Sequence, residues 1–342
     1  MTAVGATRVH VKSNHASPDT FPPTAEGEAV FTITAERYAQ AAARHADVAE
    51  RLDVMIDWDT DRFAESMATA EALVCWDLPT ENLETVAPHL NWIHIIGAGV
   101  EHLCPMDWVP EGVTVVNNKG AHAAKAGEFA LMAVLMLHNK MPAIVTNQRS
   151  ARWNSLFSTP IAGKTALIVG VGSLGGGAAK QLKKLGIEVL GVSRHGRPHP
   201  DVDEMATTER LDEMLARADY VFVATPSTPE TRNLFDRKRL QRMKPGAGIV
   251  NVGRAAVMDY DALGDLLEGG HLSGAILDVF DPEPLPKDSP IWTAPNLIVT
   301  PHVSADDGDN YVQITLDLFF NNMRRYLDGN PLQNVVDPAL GY

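Results

Sequence analysis

Residues 164–176, KTALIVGVGSLGG, constrain the fold more than any other stretch of the chain. A short β-branched strand runs into glycines at Gly170, Gly172 and Gly175, and a helical run follows. Each glycine answers a separate steric demand. The first permits a tight turn, the second a close approach of backbone to a pyrophosphate, and the third the packing of helix on strand, with the helix N-terminus turned to the phosphates. Packing alone does not call for three glycines at this spacing. The stretch therefore predicts a dinucleotide site formed by Gly170, Gly172, Ser173, Leu174 and Gly175. Gly176 and Gly177 stand outside that logic, because each extra glycine weakens a first helical turn by about 1 kcal/mol.

That strand opens a series. IEVLGV, DYVFVAT, AGIVNVG, LSGAILDVF and NLIVTPH follow it, each short and nearly free of charge, as strands covered by helices on both faces are. An earlier series, TRVHVK, LDVMID, ALVCW, NWIHIIGAG and VTVVNN, alternates with amphipathic stretches in the same way. With 342 residues the chain has room for two such domains. The expectation is a two-lobed α/β protein with a cleft. A smaller substrate domain covers residues 1–118 and is completed by 306–342, and a doubly wound dinucleotide-binding domain covers 119–305. Between the series, Ala121 to about Thr146 reads as one long helix with Phe129, Met132, Ala133, Met136 and Leu137 on a continuous face. It links the domains and offers a dimer surface. Residues 14–28, with Pro18, Pro22 and Pro23, read as a loop, and about Asp309 to Leu327 as a last helix.

After the second strand of a dinucleotide unit a carboxylate ordinarily accepts hydrogen bonds from the adenosine ribose. Here VLGVSRHGRP, residues 189–198, holds no acid. A 2′-phosphate would be repelled by an acid at this point, but it accepts hydrogen bonds from a Ser193 hydroxyl and an Arg194 guanidinium, with Arg197 in reserve. Each charge-assisted bond contributes roughly 1.5–3 kcal/mol, enough for about a tenfold preference. The stretch thus points to NADP(H). His195 and His199 read as loop residues.

Three further strand ends carry polar groups out of apolar runs. NVGRAAVMD places Arg254, DVFDPEPLP places Asp278 and Glu283, and VTPHVS places His302. In a parallel sheet such ends open on the crevice that holds the cofactor. An Arg fork holds a carboxylate and polarises a neighbouring carbonyl, a His donates a proton as hydride reaches carbon, and a carboxylate favours the charged imidazole. Singly, each residue has a plainer reading: an ion pair, a loop acid between prolines, a satisfied histidine. Beside the glycine motif the catalytic reading is the stronger.

These residues resemble the D-isomer-specific 2-hydroxyacid dehydrogenases, on VGVGSLGG, TPSTPETRNLF, MKPGAGIVNVGRAAVMDYDAL, GAILDVFDPEPLPKDSPIW and TPHVS, with most of the chain covered. The resemblance implies a flavodoxin-like substrate lobe, a Rossmann coenzyme lobe and a homodimer built on the coenzyme lobes. It implies a catalytic set of Arg254, Glu283 and His302, with Asp278 on the nicotinamide carboxamide. It also implies cofactor contacts from Thr225, Pro226, Thr231, Val252 and Gly253, and backbone amides at Ala98 and Gly99 for the substrate carboxylate. Within the family the NADPH-linked glyoxylate/hydroxypyruvate reductases are the nearest likeness, on a Ser-Arg pair after the second strand, Trp76 in the substrate site and an ending similar to VDPALGY. Trp153 is a further candidate for shaping the pocket. Two places depart from the pattern. Asp306 and Asp307 follow Ser304 and Ala305, where small residues are usual, and acids that close raise the His302 pKa or repel an anionic substrate. His122 and Lys125 occupy a helix start that is usually apolar or small; they are either exposed or line the cleft.

Composition narrows the alternatives. A formal net charge of -14 argues against a polyanion-binding surface, so no nucleic-acid partner is expected. The longest apolar stretch, FALMAVLML from Phe129, is too short to span a bilayer, and the opening residues lack the basic end and apolar run of a signal peptide. Two cysteines, Cys75 and Cys104, have no metal-ligand spacing and read as buried free thiols, which suits a reducing cytoplasm. The expected activity is NADPH-dependent reduction of a small 2-oxo acid to a D-2-hydroxy acid. Two other readings stand beside it: an NADH-linked dehydrogenase for a bulkier 2-oxo acid, and a cofactor-sensing corepressor, which would be expected to carry partner-binding tails.

Overall fold

The computed structural model describes residues 5–17 and 21–338, so Pro18 of the expected loop and the last residues of the VDPALGY ending lie outside the described residues. The chain divides into two compact units, Met1–Ala121 with Asp307–Tyr342, and His122–Asp306.

The first unit holds a five-stranded parallel sheet built from β1 (Thr7–Ser13), β2 (Leu52–Trp58), β3 (Ala72–Cys75), β4 (Trp92–Ile95) and β5 (Thr114–Val116), in the order β2-β1-β3-β4-β5. That order is the flavodoxin-like one. The helix Tyr311–Leu327 packs Val312, Leu316, Phe319, Phe320 and Met323 against Val9, Val11, Trp92 and Val116 on one face of this sheet. Phe319 stacks on Trp92 with ring centroids 5.5 Å apart. Residues 14–28 are not loop throughout. Thr24 Oγ1 accepts from the Gly27 N–H and caps a helix over Ala25–Phe31.

The second unit holds seven parallel strands: β6 (Thr165–Val169), β7 (Glu188–Val192), β8 (Glu204–Ala206), β9 (Tyr220–Val223), β10 (Gly248–Asn251), β11 (Gly274–Leu277) and β12 (Leu297–Val299). Their order is β12-β11-β10-β9-β6-β7-β8. Counted from β6 this is the doubly wound 3-2-1-4-5-6 arrangement with one strand added, and it reverses direction between β6 and β9. Along β6 the side chains alternate between two cores, Leu167 and Val169 into one, Ala166 and Ile168 into the other. Both faces are therefore buried, which is why the strands read as uninterrupted apolar runs.

The expected long helix is broken. One helix spans Ala123–His138 and a second Met141–Arg149, bent by 65° at the junction, where Lys140 takes φ 57. Pro142 is the cause. It lacks an N–H and its ring would collide with the preceding turn of a continuing helix, whereas it fits the first turn of a new one. Cys75 is buried as expected, but Cys104 is exposed. No single helix among the described residues is long and apolar enough to cross a membrane.

The surplus glycines have a packing role. A Cβ on Gly177 would lie 2.1 Å from the Ala123 carbonyl oxygen, and one on Gly127 2.7 Å from the Gly177 oxygen. The helices Ala123–His138 and Ser173–Lys183 cross backbone to backbone at these positions. Gly176 differs, since its Cβ would meet only the His199 ring, a side chain that can move. An alanine normally stabilises a helix relative to glycine by about 1 kcal/mol. Gly177→Ala is expected to reverse that sign and destabilise the protein by about 1–3 kcal/mol, with Gly176→Ala close to neutral. Urea denaturation checks this, and a Gly177→Ala protein as stable as the parent would rule out the close crossing.

Candidate active site

The glycine turn sits at the reversal point of the seven-stranded sheet. Gly170 takes φ 97, and a Cβ there would stand 2.7 Å from the Ala224 carbonyl carbon at the end of β9. A Cβ on Gly175 would stand 2.2 Å from the Gly170 oxygen, so helix Ser173–Lys183 lies directly on the turn. Gly253, after β10, approaches Thr225 in the same way, its Cβ 2.5 Å from the Thr225 oxygen. Gly172, by contrast, has nothing within 4 Å of its Cβ position. Ser173 Oγ and Thr225 Oγ1 are buried without a hydrogen-bond partner, a condition that costs about 1–3 kcal/mol unless a ligand relieves it. Open backbone at a helix N-terminus, flanked by two orphaned hydroxyls, fits a pyrophosphate. Thr231 Oγ1 donates to the Pro226 oxygen at 2.6 Å and closes the loop after β9, and Val252 is buried beside Gly253.

At the end of β7, Ser193 Oγ accepts from the Gly196 N–H at 3.2 Å, which leaves its hydroxyl hydrogen to donate. Arg194 and Arg197 are exposed. Glu230 is a neighbour the sequence did not suggest: its carboxylate lies 3.7 Å from the Arg194 guanidinium. His199 packs over Gly176, and its Nδ1 accepts from the Asp201 N–H. It is a loop residue.

Arg254, Glu283 and His302 all lie in the second unit, each just beyond a strand of its sheet. His302 Nδ1 meets Glu283 Oε2 at 2.7 Å, and Glu283 Oε1 accepts from the Phe280 N–H at 2.7 Å. With Nδ1 committed, Nε2 is the nitrogen left to exchange a proton, and the His302 side chain is 49% exposed. Burial works to lower the His302 pKa, but the hydrogen bond and charge of Glu283, with the charge of Asp278, outweigh it and raise it above the usual histidine value. Burial likewise works to raise Glu283, and the His302 contact, the Phe280 N–H and Arg254 bring it below the usual carboxylate value. The pair favours its ionised form. A protonated imidazole with one exposed nitrogen is a general acid.

Asp278, which the resemblance places on the nicotinamide carboxamide, has a fully buried side chain, and the segment bearing His302 engages both carboxylate oxygens. Oδ1 accepts from Thr300 Oγ1 and the Val303 N–H, and Oδ2 from the Ser304 N–H at 3.0 Å. His302 itself takes φ 53, a left-handed conformation that costs a residue with a side chain about 1–2 kcal/mol. Asp278 holds the turn in that conformation and acts as a positioning residue.

Sequence reasoning also missed the support of Arg254. Asn251, at the end of β10, is fully buried. Its Oδ1 accepts from the Gly253 N–H, and its Nδ2 donates to the Arg254 oxygen and to Tyr260 OH, which in turn donates to the Val279 oxygen. A lone amide in the apolar run GIVNVG was the available signal.

The two departures from the family pattern meet each other. His122 is 8% exposed; its Nδ1 lies 3.2 Å from the Ala305 oxygen and 3.4 Å from Asp306 Oδ1. Burial lowers the His122 pKa and raises that of Asp306. Lys125 is half-buried. Asp307 plays a different part, since its Oδ1 accepts from the Asp309 and Asn310 N–H groups ahead of helix Tyr311–Leu327.

In the first unit Trp76 follows β3 and stacks on Phe21 at 4.1 Å and on His102 at 4.0 Å. Gly97 is required beside it, since a Cβ there would stand 2.4 Å from the indole. The Ala98 oxygen accepts from Asn117 Nδ2, which fixes the bend carrying Ala98 and Gly99.

The family model for "D-isomer specific 2-hydroxyacid dehydrogenase, NAD binding domain" matches residues 131–304. A D-3-phosphoglycerate dehydrogenase of Mycobacterium bovis is 33% identical over 255 residues, 73% of this chain and 48% of that protein. The chain thus spans about half the length of that relative. A D-isomer specific 2-hydroxyacid dehydrogenase from Xanthobacter autotrophicus, solved with NADPH and MES, superposes with a TM-score of 0.80 at 28% identity, covering 99% of this chain and 100% of that one. An NADPH-dependent glyoxylate/hydroxypyruvate reductase from Sinorhizobium meliloti, solved with NADP and sulfate, gives a TM-score of 0.79 at 27% identity, covering 98% and 100%.

If Glu283 holds the His302 proton, Glu283→Gln removes the charge that raises the imidazole pKa. His302 should then titrate at lower pH in the variant than in the parent, as followed by the ring protons in NMR. An unchanged titration would place the source of the shift elsewhere.

Proposed function

Since the chain belongs to the D-isomer specific 2-hydroxyacid dehydrogenases, we propose that it is an NADPH-dependent reductase that converts a small 2-oxo acid of the glyoxylate or hydroxypyruvate type to a D-2-hydroxy acid. The observation that carries this reading is the 2.7 Å His302–Glu283 pair beyond the strands of a parallel sheet whose reversal point bears the glycine turn. When bound, the reduced nicotinamide supplies the hydride. His302 delivers the proton to the carbonyl oxygen, Glu283 keeps His302 charged, and Arg254 holds the carboxylate and polarises the neighbouring carbonyl. The resemblance implies the amides of Ala98 and Gly99 and the side chain of Trp76 as further substrate contacts.

The preference for NADPH rests on Ser193, Arg194 and Arg197 and on the missing acid after β7. The phosphorylated cofactors in the two similar structures support it for this chain. Glu230 beside Arg194 is accommodated, because an exposed pair of this length is worth about 0–1 kcal/mol and yields to a phosphate. A homodimer and a cytoplasmic location complete the proposal. Trp153, the further pocket candidate, and Phe157 are 98% and 82% exposed on the second unit, apolar surface that a second subunit would cover. A 37 kDa species in sedimentation at micromolar concentration would count against it.

The test is the initial rate of NADPH and NADH oxidation with glyoxylate, hydroxypyruvate, pyruvate and phenylpyruvate. NADPH with one of the small acids is expected to exceed NADH by about tenfold or more in kcat/KM, and Arg194→Asp to narrow or reverse that ratio. His302→Ala should lose about a hundredfold or more in turnover with NADPH affinity nearly intact. Equal rates with both cofactors, or full turnover without His302, would refute the corresponding part of the reading.

A further inference from the structure

The surroundings of His302 in the second unit carry more negative than positive charge. Glu283 pairs with it from the loop after β11, Asp278 at the end of β11 binds the N–H groups that follow it, and Asp306 lies four residues on in its own segment; Arg254 lies in the turn after β10, and His122 at the start of helix Ala123–His138. Glu283 is balanced by the imidazolium it pairs with, and Asp278 is buried and accepts from Thr300, Val303 and Ser304. Asp306 remains, with its side chain 29% exposed and one oxygen 3.4 Å from a nitrogen of the buried His122. The Ala305 carbonyl lies 3.2 Å from that same nitrogen, so His122 is anchored to the segment that carries Asp306. Burial favours neutral His122, so the pair bears one negative charge when Asp306 is ionised. That charge lies four residues beyond His302 in the same segment, whose Val303 and Ser304 N–H groups bind Asp278.

We propose that the His122–Asp306 pair is a specificity-determining element that admits 2-oxo acids with a single negative charge and discriminates against those carrying a second one, such as a phosphate or a distal carboxylate. The inference rests on the reductase reading and names the substrate class of the same site. Arg254 balances the one carboxylate common to all 2-oxo acids. A further anionic group on the substrate meets Asp306, and at separations of about 6–10 Å, near a protein surface, two like charges disfavour each other by roughly tenfold or more. His122 favours the ionised form of Asp306, because a half-buried carboxylate that loses its partner is driven toward its neutral form.

The experiment compares the parent protein with Asp306→Asn and His122→Asn. Two ratios are read at constant ionic strength: kcat/KM with NADPH for hydroxypyruvate against 3-phosphohydroxypyruvate, and affinity of the NADPH-loaded protein for oxamate against 3-phosphoglycerate, from quenching of bound NADPH fluorescence. The parent should favour the singly charged member of each pair. Asp306→Asn should shift both ratios toward the phosphorylated member by about tenfold, and His122→Asn should shift them in the same direction by less. NADPH affinity equal to that of the parent shows that each variant is folded. A merely structural role for Asp306 would weaken both members of a pair together and leave the ratios in place, which overturns the proposal. So does a parent that favours the phosphorylated member, or one that binds neither oxamate nor 3-phosphoglycerate. If no 2-oxo acid is reduced but the binding ratio shifts in Asp306→Asn, the reductase reading fails and the charge rule stands.

Discussion

The buried carboxylate of Asp278 governs the geometry on which the candidate chemistry depends. It sits just past β11, with no exposed side-chain surface, and binds the side chain of Thr300 and the backbone N–H groups of Val303 and Ser304. His302 lies between those donors in a left-handed conformation that it would not adopt unaided. The same turn brings its Nδ1 to Glu283, so one buried charge sets the conformation of the residue whose ionisation a second carboxylate then controls. Burying a carboxylate is costly unless hydrogen bonds compensate it, and three donors from one short segment supply that compensation. The segment and the charge stabilise each other.

A comparable economy runs through the second unit. Asn251 ties the Gly253 and Arg254 backbone to Tyr260, and so fixes the arginine by a buried amide network as Asp278 fixes the histidine. The glycines serve closeness of backbone. Gly170 and Gly253 let the turn after β6 and the segment after β10 approach the backbone after β9, and Gly127 and Gly177 let two helices cross with their main chains in contact. The candidate site stands at the ends of β10, β11 and β12.

Much of this was legible in the chain. The alternation of apolar runs indicated two parallel sheets, and the strand ends carrying Arg254, Glu283 and His302 stood out because three polar residues leave buried strands of the sheet that also bears the glycine turn. Three things were hidden. The break at Lys140 was encoded by Pro142 but masked by an apolar face that continued through it. The hold of Asp278 on the His302 segment was hidden because the donors it accepts from lie more than twenty residues further along the chain. Gly177 was unexplained because its partner, Ala123, comes from a helix far away in the chain.

The sequence by itself determined the class of fold, the place of the dinucleotide turn and the residue types available for proton transfer, since periodicity and local steric demand act over a few residues and leave their mark there. Only the tertiary structure decided which charges face one another. His122 and Asp306 each stood out as a misfit, at opposite ends of the second unit, and nothing in their local contexts paired them. Burial and electrostatic partnership are properties of the packed chain, because the desolvation that shifts a proton and the neighbour that holds it exist only after distant segments have met.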